Sequence, residues 1–256
     1  MGMRNYETIK VQKNNPICQI QFNRPEAKNT INDLLIQEIM EVLDNCIDDV
    51  SVVVFEGLPD YFCYGADFNE VSKEKDSSHS SGGPEPLYNI WLKMATGPFI
   101  TISHVRGKVN AGGMGFVAAS DIVLADETAQ FSLSELIFGL MPACVMPFLI
   151  RKIGFQKAHY LTLSTQPIGL QQAYQWGLVD AYDSNSESLL RKQLLRLRRL
   201  PKSGIAKYKN YIRTLMPSLD NDKNIAIETN KEIFSDPQNI AGISRFVKTG
   251  QFPWEN

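Results

Sequence analysis

KVNAGGMGFVAASD, residues 108–121, decides how this chain is read. It follows the apolar, β-branched run 99–105, so a strand feeds a glycine-opened helix. Glycine lets backbone approach a bound group closely, and the unpaired N–H groups of a helix's first turn attract negative charge. The spacing fits neither GxxxxGKS, for a nucleotide phosphate, nor GxGxxG with a ribose-binding acid about 20 residues later. A carbonyl turning into an oxyanion is the better match. A second loop of the same kind, DYFCYGAD at 60–67, follows the buried-strand run 51–55. Two such loops can place two backbone donors together, the minimum for an oxyanion hole, where preorganised N–H groups stabilise charge that appears only along the reaction path.

Outward from these loops the pattern is α/β. Residues 6–11 and 17–22 read as a hairpin about Lys13-Asn14-Asn15-Pro16. An amphipathic helix is expected over 31–47, where Ile31, Leu35, Ile39, Val42 and Cys46 recur every three or four positions. Runs 51–56, 99–105 and 121–125 supply further strands, with helices between them. Residues 77–86 (SSHSSGGPEP) are mostly Ser, Gly and Pro and predict a flexible segment, either a loop over the site or an idle surface excursion, with His79 solvated. From about Ser186 the pattern is helical to the end. Within it Arg191, Lys192, Arg196, Arg198, Arg199, Lys202, Lys207, Lys209 and Arg213 form a basic stretch with no acid between Ser188 and Leu219. Such a stretch is either a solvated face or a docking surface for an acidic partner.

Composition narrows the class. The 256 residues are 43% hydrophobic with a net charge of −2, enough for one large domain and without bias toward nucleic acid or membrane surfaces. Cys18, Cys46, Cys63 and Cys144 are widely spaced with no CxxC pair, which speaks against zinc and a disulfide framework; all four are read as structural. The first residues lack an apolar h-region and no run of about 18 apolar residues occurs, so a cytoplasmic protein is expected.

Several motifs in this order resemble the crotonase (enoyl-CoA hydratase/isomerase) superfamily: FNRPEAKN at 22–29, FCYGADF at 62–68, GKVNAGGMGF at 107–116, FSLSE at 131–135, FGLMP at 138–142 and AYQWGLVD at 173–180. The resemblance implies a spiral of β-β-α units over residues 1–195 and a C-terminal helical trimerisation region over 196–256. It implies a homotrimer or dimer of trimers with no metal or redox cofactor. The substrate would be an acyl thioester on CoA or on the phosphopantetheine of an acyl carrier protein, its carbonyl held by the N–H groups of Ala66 and Gly112. Of the two glutamates that hydratases of this family usually employ, the second is matched by Glu135, while Gly115 stands at the first. Taken alone, a glutamate after a serine at a helix start complements the helix dipole; desolvated, it would have a raised pKa suited to taking and returning a proton.

Candidate proton donors to a departing hydroxide are Glu135 itself, Asn110, Tyr88 and, through water, Asp67, which is equally a residue that shapes its loop. Gly65, Gly113, Gly115 and Ala143 would line the acyl group, and Arg24 and Lys28 the entrance for the pantetheine arm. Glycine at 115 opens room for a branched or carboxylate-bearing β substituent, for which Tyr88, Lys93, His104, Arg106, Lys108 and Asn110 are candidate partners. Pro142-Ala143-Cys144-Val145-Met146-Pro147 replaces the usual glycine-rich PGxGGT-like loop. These departures, with GADF and the ending GQFPW (250–254), look like the subgroup that dehydrates 3-hydroxy-3-methylglutaryl-ACP in polyketide β-branching cassettes.

Overall fold

The structure, a computed structural model, describes residues 5–68 and 83–255. Most of segment 77–86, with His79, lies outside them. The hairpin expected at the start is present: β1 (Ile9–Asn14) runs antiparallel to β2 (Ile17–Phe22). Three turns of a spiral follow. β3 (Val52–Glu56), β5 (Ile100–Val105) and β7 (Ile122–Ala125) join one six-stranded sheet, in which β10 (Ala181–Tyr182) is the far edge strand. After each of the three the chain bends and gives a short strand, β4 (Tyr61–Cys63), β6 (Lys108–Asn110) or β8 (Gln130–Ser132), to a second sheet closed by β9 (Ile168–Gly169). The two glycine loops leave neighbouring strands of this small sheet, β4 and β6, which pair in parallel. That adjacency brings residues 66 and 112 together.

Helices cover one face of the large sheet. The first, α1 (Asp33–Asp44), starts where the Asn32 side chain accepts a hydrogen bond from Leu35 N at 2.9 Å. Its buried stripe Leu35, Ile39, Val42 and Leu43 joins a core shared with α2 (Glu85–Thr96), α3 (Gly113–Ala119) and α4 (Met146–Ile153). Phe22, Phe55, Phe62, Phe116 and Trp91 form a connected aromatic cluster in this core. Each such ring contributes roughly 1.5–3 kcal/mol by leaving water.

Downstream come α5 (Phe155–Ser164), α6 (Leu170–Trp176), α7 (Ser186–Leu197), α8 (Lys202–Leu215), α9 (Ser218–Asn221), α10 (Lys223–Ser235) and α11 (Pro237–Thr249). The expected boundary at 195/196 falls inside α7, whose Leu190 and Leu197 pack beneath the large sheet against Val52, Val54, Ile102 and Leu124. The last helices fold back on the core. Phe246 and Phe252 close on Phe138, which also meets Phe68, so the tail reaches the segments carrying Glu135 and Asp67. Among the described residues no helix is long and apolar enough to cross a membrane.

Candidate active site

The Ala66 loop is held by its neighbours on both sides. Ile31 N donates to Gly65 O at 2.7 Å and Asp67 N donates to Ile31 O at 3.1 Å. In such a parallel bridge the amide of the middle residue faces away from the partner strand, so Ala66 N–H points outward. Gly112 begins α3, and its amide is one of the donors a helix start leaves without an intrahelical partner. Neither amide donates to any backbone acceptor among the described residues. The two meet closely: a Cβ built on Gly112 would lie 3.9 Å from Ala66 N, and one on Gly65 would lie 3.3 Å from Gly112 N. Gly65 has φ +92°, and its missing Cβ would meet the Ala111 Cβ at 2.7 Å, so glycine is required there.

Asp67 and Arg24 fasten this arrangement. Arg24 Nη2 donates to Asp67 Oδ2 at 2.9 Å, Thr30 Oγ1 donates to the same oxygen at 3.1 Å, and Arg24 Nη1 donates to Thr30 O. Both charged side chains are largely buried. Arg24 is therefore a buckle on the Ala66 loop rather than an entrance base, and Asp67 shapes the loop. Lys28 is exposed and stands over the rings of Tyr61 and Tyr64, 5.7 and 5.5 Å from their centroids, at the lip of the same loop.

Glu135 opens a 3-10 turn (Glu135–Phe138) after β8. Only 8% exposed, it has an oxygen, Oε2, with no hydrogen-bond partner. Burial pushes its carboxyl up from 4.5 to about 7, against a smaller opposing pull from the amides of Glu135 and Ser134. The segment is pinned by Asn110, whose Nδ2 donates to Ser134 Oγ at 2.8 Å while its Oδ1 accepts from Ser132 Oγ at 2.8 Å. Asn110 thus links the Gly112 strand to the Glu135 segment. Its amide is engaged on both sides, a positioning role rather than that of a proton donor.

Several expected contacts are absent. His104 is fully buried on the opposite face of the large sheet, between Glu56 Oε1 at 2.7 Å and Ser186 Oγ of α7 at 2.8 Å. Strand alternation is the reason: Ile100, Ile102 and His104 face α7, whereas Thr101 and Ser103 face the main core. Lys93 pairs with Asp44 of α1, and Arg106 with Glu187. Tyr88 is buried with its hydroxyl donating to Leu219 O at 2.7 Å, and burial raises its pKa. Gly113 is packing, since a Cβ there would stand 3.0 Å from Cys63 C. Ala143 lies half-buried in the turn leading to α4, its amide donating to Met141 O at 2.8 Å. Lys108 is exposed on β6.

The largest correction concerns Gly115. A Cβ there would stand 2.6 Å from Trp91 Cη2 and closer still to Cε2 and Cζ2, so the indole from α2 fills the volume that glycine was expected to leave open. Sequence reasoning misses Trp91 because it repeats with Leu87, Ile90 and Met94 as an ordinary core face. The available signal was the missing side chain at 115, which calls for a large partner opposite.

Cys63 lies beneath the site, where burial pushes its thiol up to about 12, and the four cysteines are unpaired and buried. No metal-binding cluster of His, Cys, Asp and Glu occurs among the described residues. A cavity near Asp121, Tyr208, Lys209 and Met216 contains none of these site residues, and Lys209 there is spent on Met94 O, Phe99 O and Asp121.

Two main-chain amides left free at the bends of a β-β-α spiral, and a desolvated carboxylate on the segment that Asn110 ties to the Gly112 strand, are the features that the resemblance to acyl-thioester enzymes implies. The chain belongs to the enoyl-CoA hydratase/isomerase family, whose sequence model matches residues 12–256. It is an enzyme of the hydratase/dehydratase, carbon–oxygen lyase, type. It is 58% identical to the bacillaene synthase dehydratase PksH of Bacillus subtilis, over the full length of both chains. The crystal structure of the B. subtilis polyketide biosynthesis enoyl-CoA hydratase PksH superposes with a TM-score of 0.94, covering 97% of this chain and all of that one, also at 58% identity. The 2,3-dehydroadipyl-CoA hydratase of Escherichia coli is 32% identical over 68% of this chain and 69% of its own.

Proposed function

We propose that this enzyme dehydrates 3-hydroxy-3-methylglutaryl-ACP to 3-methylglutaconyl-ACP during polyketide β-branching. The observation that carries the reading is Glu135, a buried carboxylate with an unpartnered oxygen and a pKa near 7, in a chain 58% identical to a dehydratase of a polyketide synthase. The thioester oxygen sits between Ala66 N–H and Gly112 N–H, which lowers the pKa of the C2 proton. Glu135 takes that proton, and the electron pair of the C2–H bond moves into the enolate. As the enolate collapses, the C2=C3 double bond forms and the C3–O bond breaks. The departing oxygen receives the proton from Glu135, so water leaves and the carboxylate is restored. One group that both accepts and returns the proton needs no second acid, in keeping with the engaged side chains of Asn110, Asp67 and Tyr88.

The acyl carrier is a phosphopantetheine-bearing protein. Lys28 is an exposed base at the lip of the Ala66 loop, whereas the basic stretch 191–213 lies on α7 and α8, with α7 beneath the opposite face of the sheet. Its exposed members, among them Arg191, Arg196 and Lys207, would receive the carrier's acidic surface away from the reacting atoms. The exposed Tyr208, Tyr211 and Leu215 of α8, with Met216 just after it, support assembly into trimers or pairs of trimers.

Mass spectrometry of the acyl-carrier thioesters tests the reaction. Loss of water from the hydroxymethylglutaryl form is the expected result. Loss of carbon dioxide from the glutaconyl form would instead identify a decarboxylase, and turnover of crotonyl-CoA alone a short-chain hydratase.

A further inference from the structure

We infer that Trp91 touches the substrate, donating its indole N–H to the oxygen that leaves C3. The inference rests on the dehydratase reading and assigns the handling of the leaving group within it. Trp91 is only 1% exposed, and its Nε1 is buried without a hydrogen-bond partner. A buried N–H without an acceptor is costly and uncommon in folded proteins. Among the described residues, the one other buried side-chain polar atom in this condition is Glu135 Oε2, the proposed base. One orphan is an acceptor, the other a donor, as a reaction that removes a proton from one carbon and an oxygen from the next requires.

The fold puts the indole on the reacting side. Gly112 and Gly115 are three residues apart at the start of α3, linked by the hydrogen bond from Gly115 N to Gly112 O at 3.0 Å. Positions so spaced share a helix face. The missing side chain of Gly112 points at Ala66 N and Ile31 Cδ1, the oxyanion side; that of Gly115 points into the Trp91 ring, with Cε2, the carbon bonded to Nε1, among the nearest atoms. Gly115 itself lies roughly 4.5 Å further along the helix axis than Gly112, about the span from a thioester carbonyl to a substituent on its β carbon, and the indole packs directly on that position. Phe116 and Phe148 hold the ring edge-on from two sides, at 5.9 Å each, which fixes its orientation. The indole N–H can stabilise charge on the departing oxygen without giving up its proton, so proton transfer remains with Glu135 and the balance of the elimination is unchanged.

Two reactions of the full-length enzyme separate this role from packing. One is dehydration of the 3-hydroxy-3-methylglutaryl carrier-protein thioester. The other is exchange of the C2 hydrogens of 3-methylglutaryl thioester with deuterated water, which needs Glu135 and the two amides but has no leaving group. Replacing the Trp91 indole by benzothiophene, which keeps the shape and removes the N–H, should slow dehydration about tenfold to a hundredfold, as for loss of one donor to developing charge. C2 exchange should be retained. Trp91→Phe should show the same split, with any general loss from its smaller ring appearing in both reactions. Equal losses in both reactions for the benzothiophene enzyme, or weaker binding of the deoxy analogue with unaltered elimination, would overturn the inference. Neither reaction in the unsubstituted enzyme would overturn the dehydratase reading itself, and this inference with it.

Discussion

The loop around Ala66 and the segment around Glu135 are the two halves of the proposed site and obey opposite rules. In the first, polar side chains are tied down: Asp67 to Arg24 and Thr30, and Asn29 to Arg24 N and the carbonyls of Tyr61 and Phe62. In the second, the carboxylate is left with an unpartnered oxygen in a dry environment. The difference follows from what each half must do. A main-chain amide acts by being in the right place, so its surroundings are fastened. A carboxylate that exchanges a proton acts by having two accessible states, and a strong partner would lock one of them.

The largest effect should come from removing the group that is left unfastened. Glu135→Gln keeps the shape and removes the base, and turnover of the hydroxyacyl thioester should fall about a thousandfold, within the range for a general acid–base group. The thioester should still bind, because its oxygen is held by backbone. Unchanged turnover in a mass-spectrometric assay would take Glu135 out of the reaction.

Disturbing the fastened half should cost less. Gly65→Ala forces a side chain into a left-handed backbone at φ +92° and against Ala111 Cβ, separating the two amides; kcat should drop about a hundredfold, approaching the loss of one oxyanion donor. Gly154→Ala is the control, since its φ of +82° imposes similar strain where a Cβ meets nothing. It should lower the melting temperature and leave kcat alone. Equal effects on kcat from the two substitutions would show that strain, rather than separation of the donors, is responsible.

These halves were not equally legible in the sequence. Loops opened by glycine after buried strands carry their geometry in local residue types, so the loops at 60–67 and 108–121 could be read as a pair of backbone donors, while the resemblance singled out Ala66 and Gly112 within them. Strand Ile17–Phe22 and the start of α3 follow for the same local reason. What escaped was side-chain direction across the fold. His104 lies in the strand before the key helix and still faces the other way, because a one-residue step along a strand changes sheet faces. Lys93 and Tyr88 stand on the helix that carries Trp91, but their polar atoms are drawn to Asp44 and Leu219, partners 49 and 131 residues distant. Glycine at 115 was legible as a missing carboxylate; the residue that fills its place was not, since nothing local marks a core tryptophan whose N–H has no acceptor.

The smallest effect concerns stability, and it sharpens the contrast because it isolates the carboxylate's desolvation. In the unfolded chain Glu135 ionises near 4.5; in the fold it holds its proton until about 7. Between these values unfolding releases a proton, so the native state loses stability relative to the unfolded chain as pH rises, and the loss is complete above the folded pKa. Glu135→Gln has no such ionisation. Its stability should exceed that of the unsubstituted protein above pH 7 by at most about 3 kcal/mol, the equivalent of the shift, and this gain should shrink to nothing as pH falls toward 4.5. Denaturant titrations at a series of pH values measure the difference directly. A gain independent of pH would mean that the glutamine packs better, and that Glu135 is not held in the dry, unpaired condition on which its exchange of protons depends.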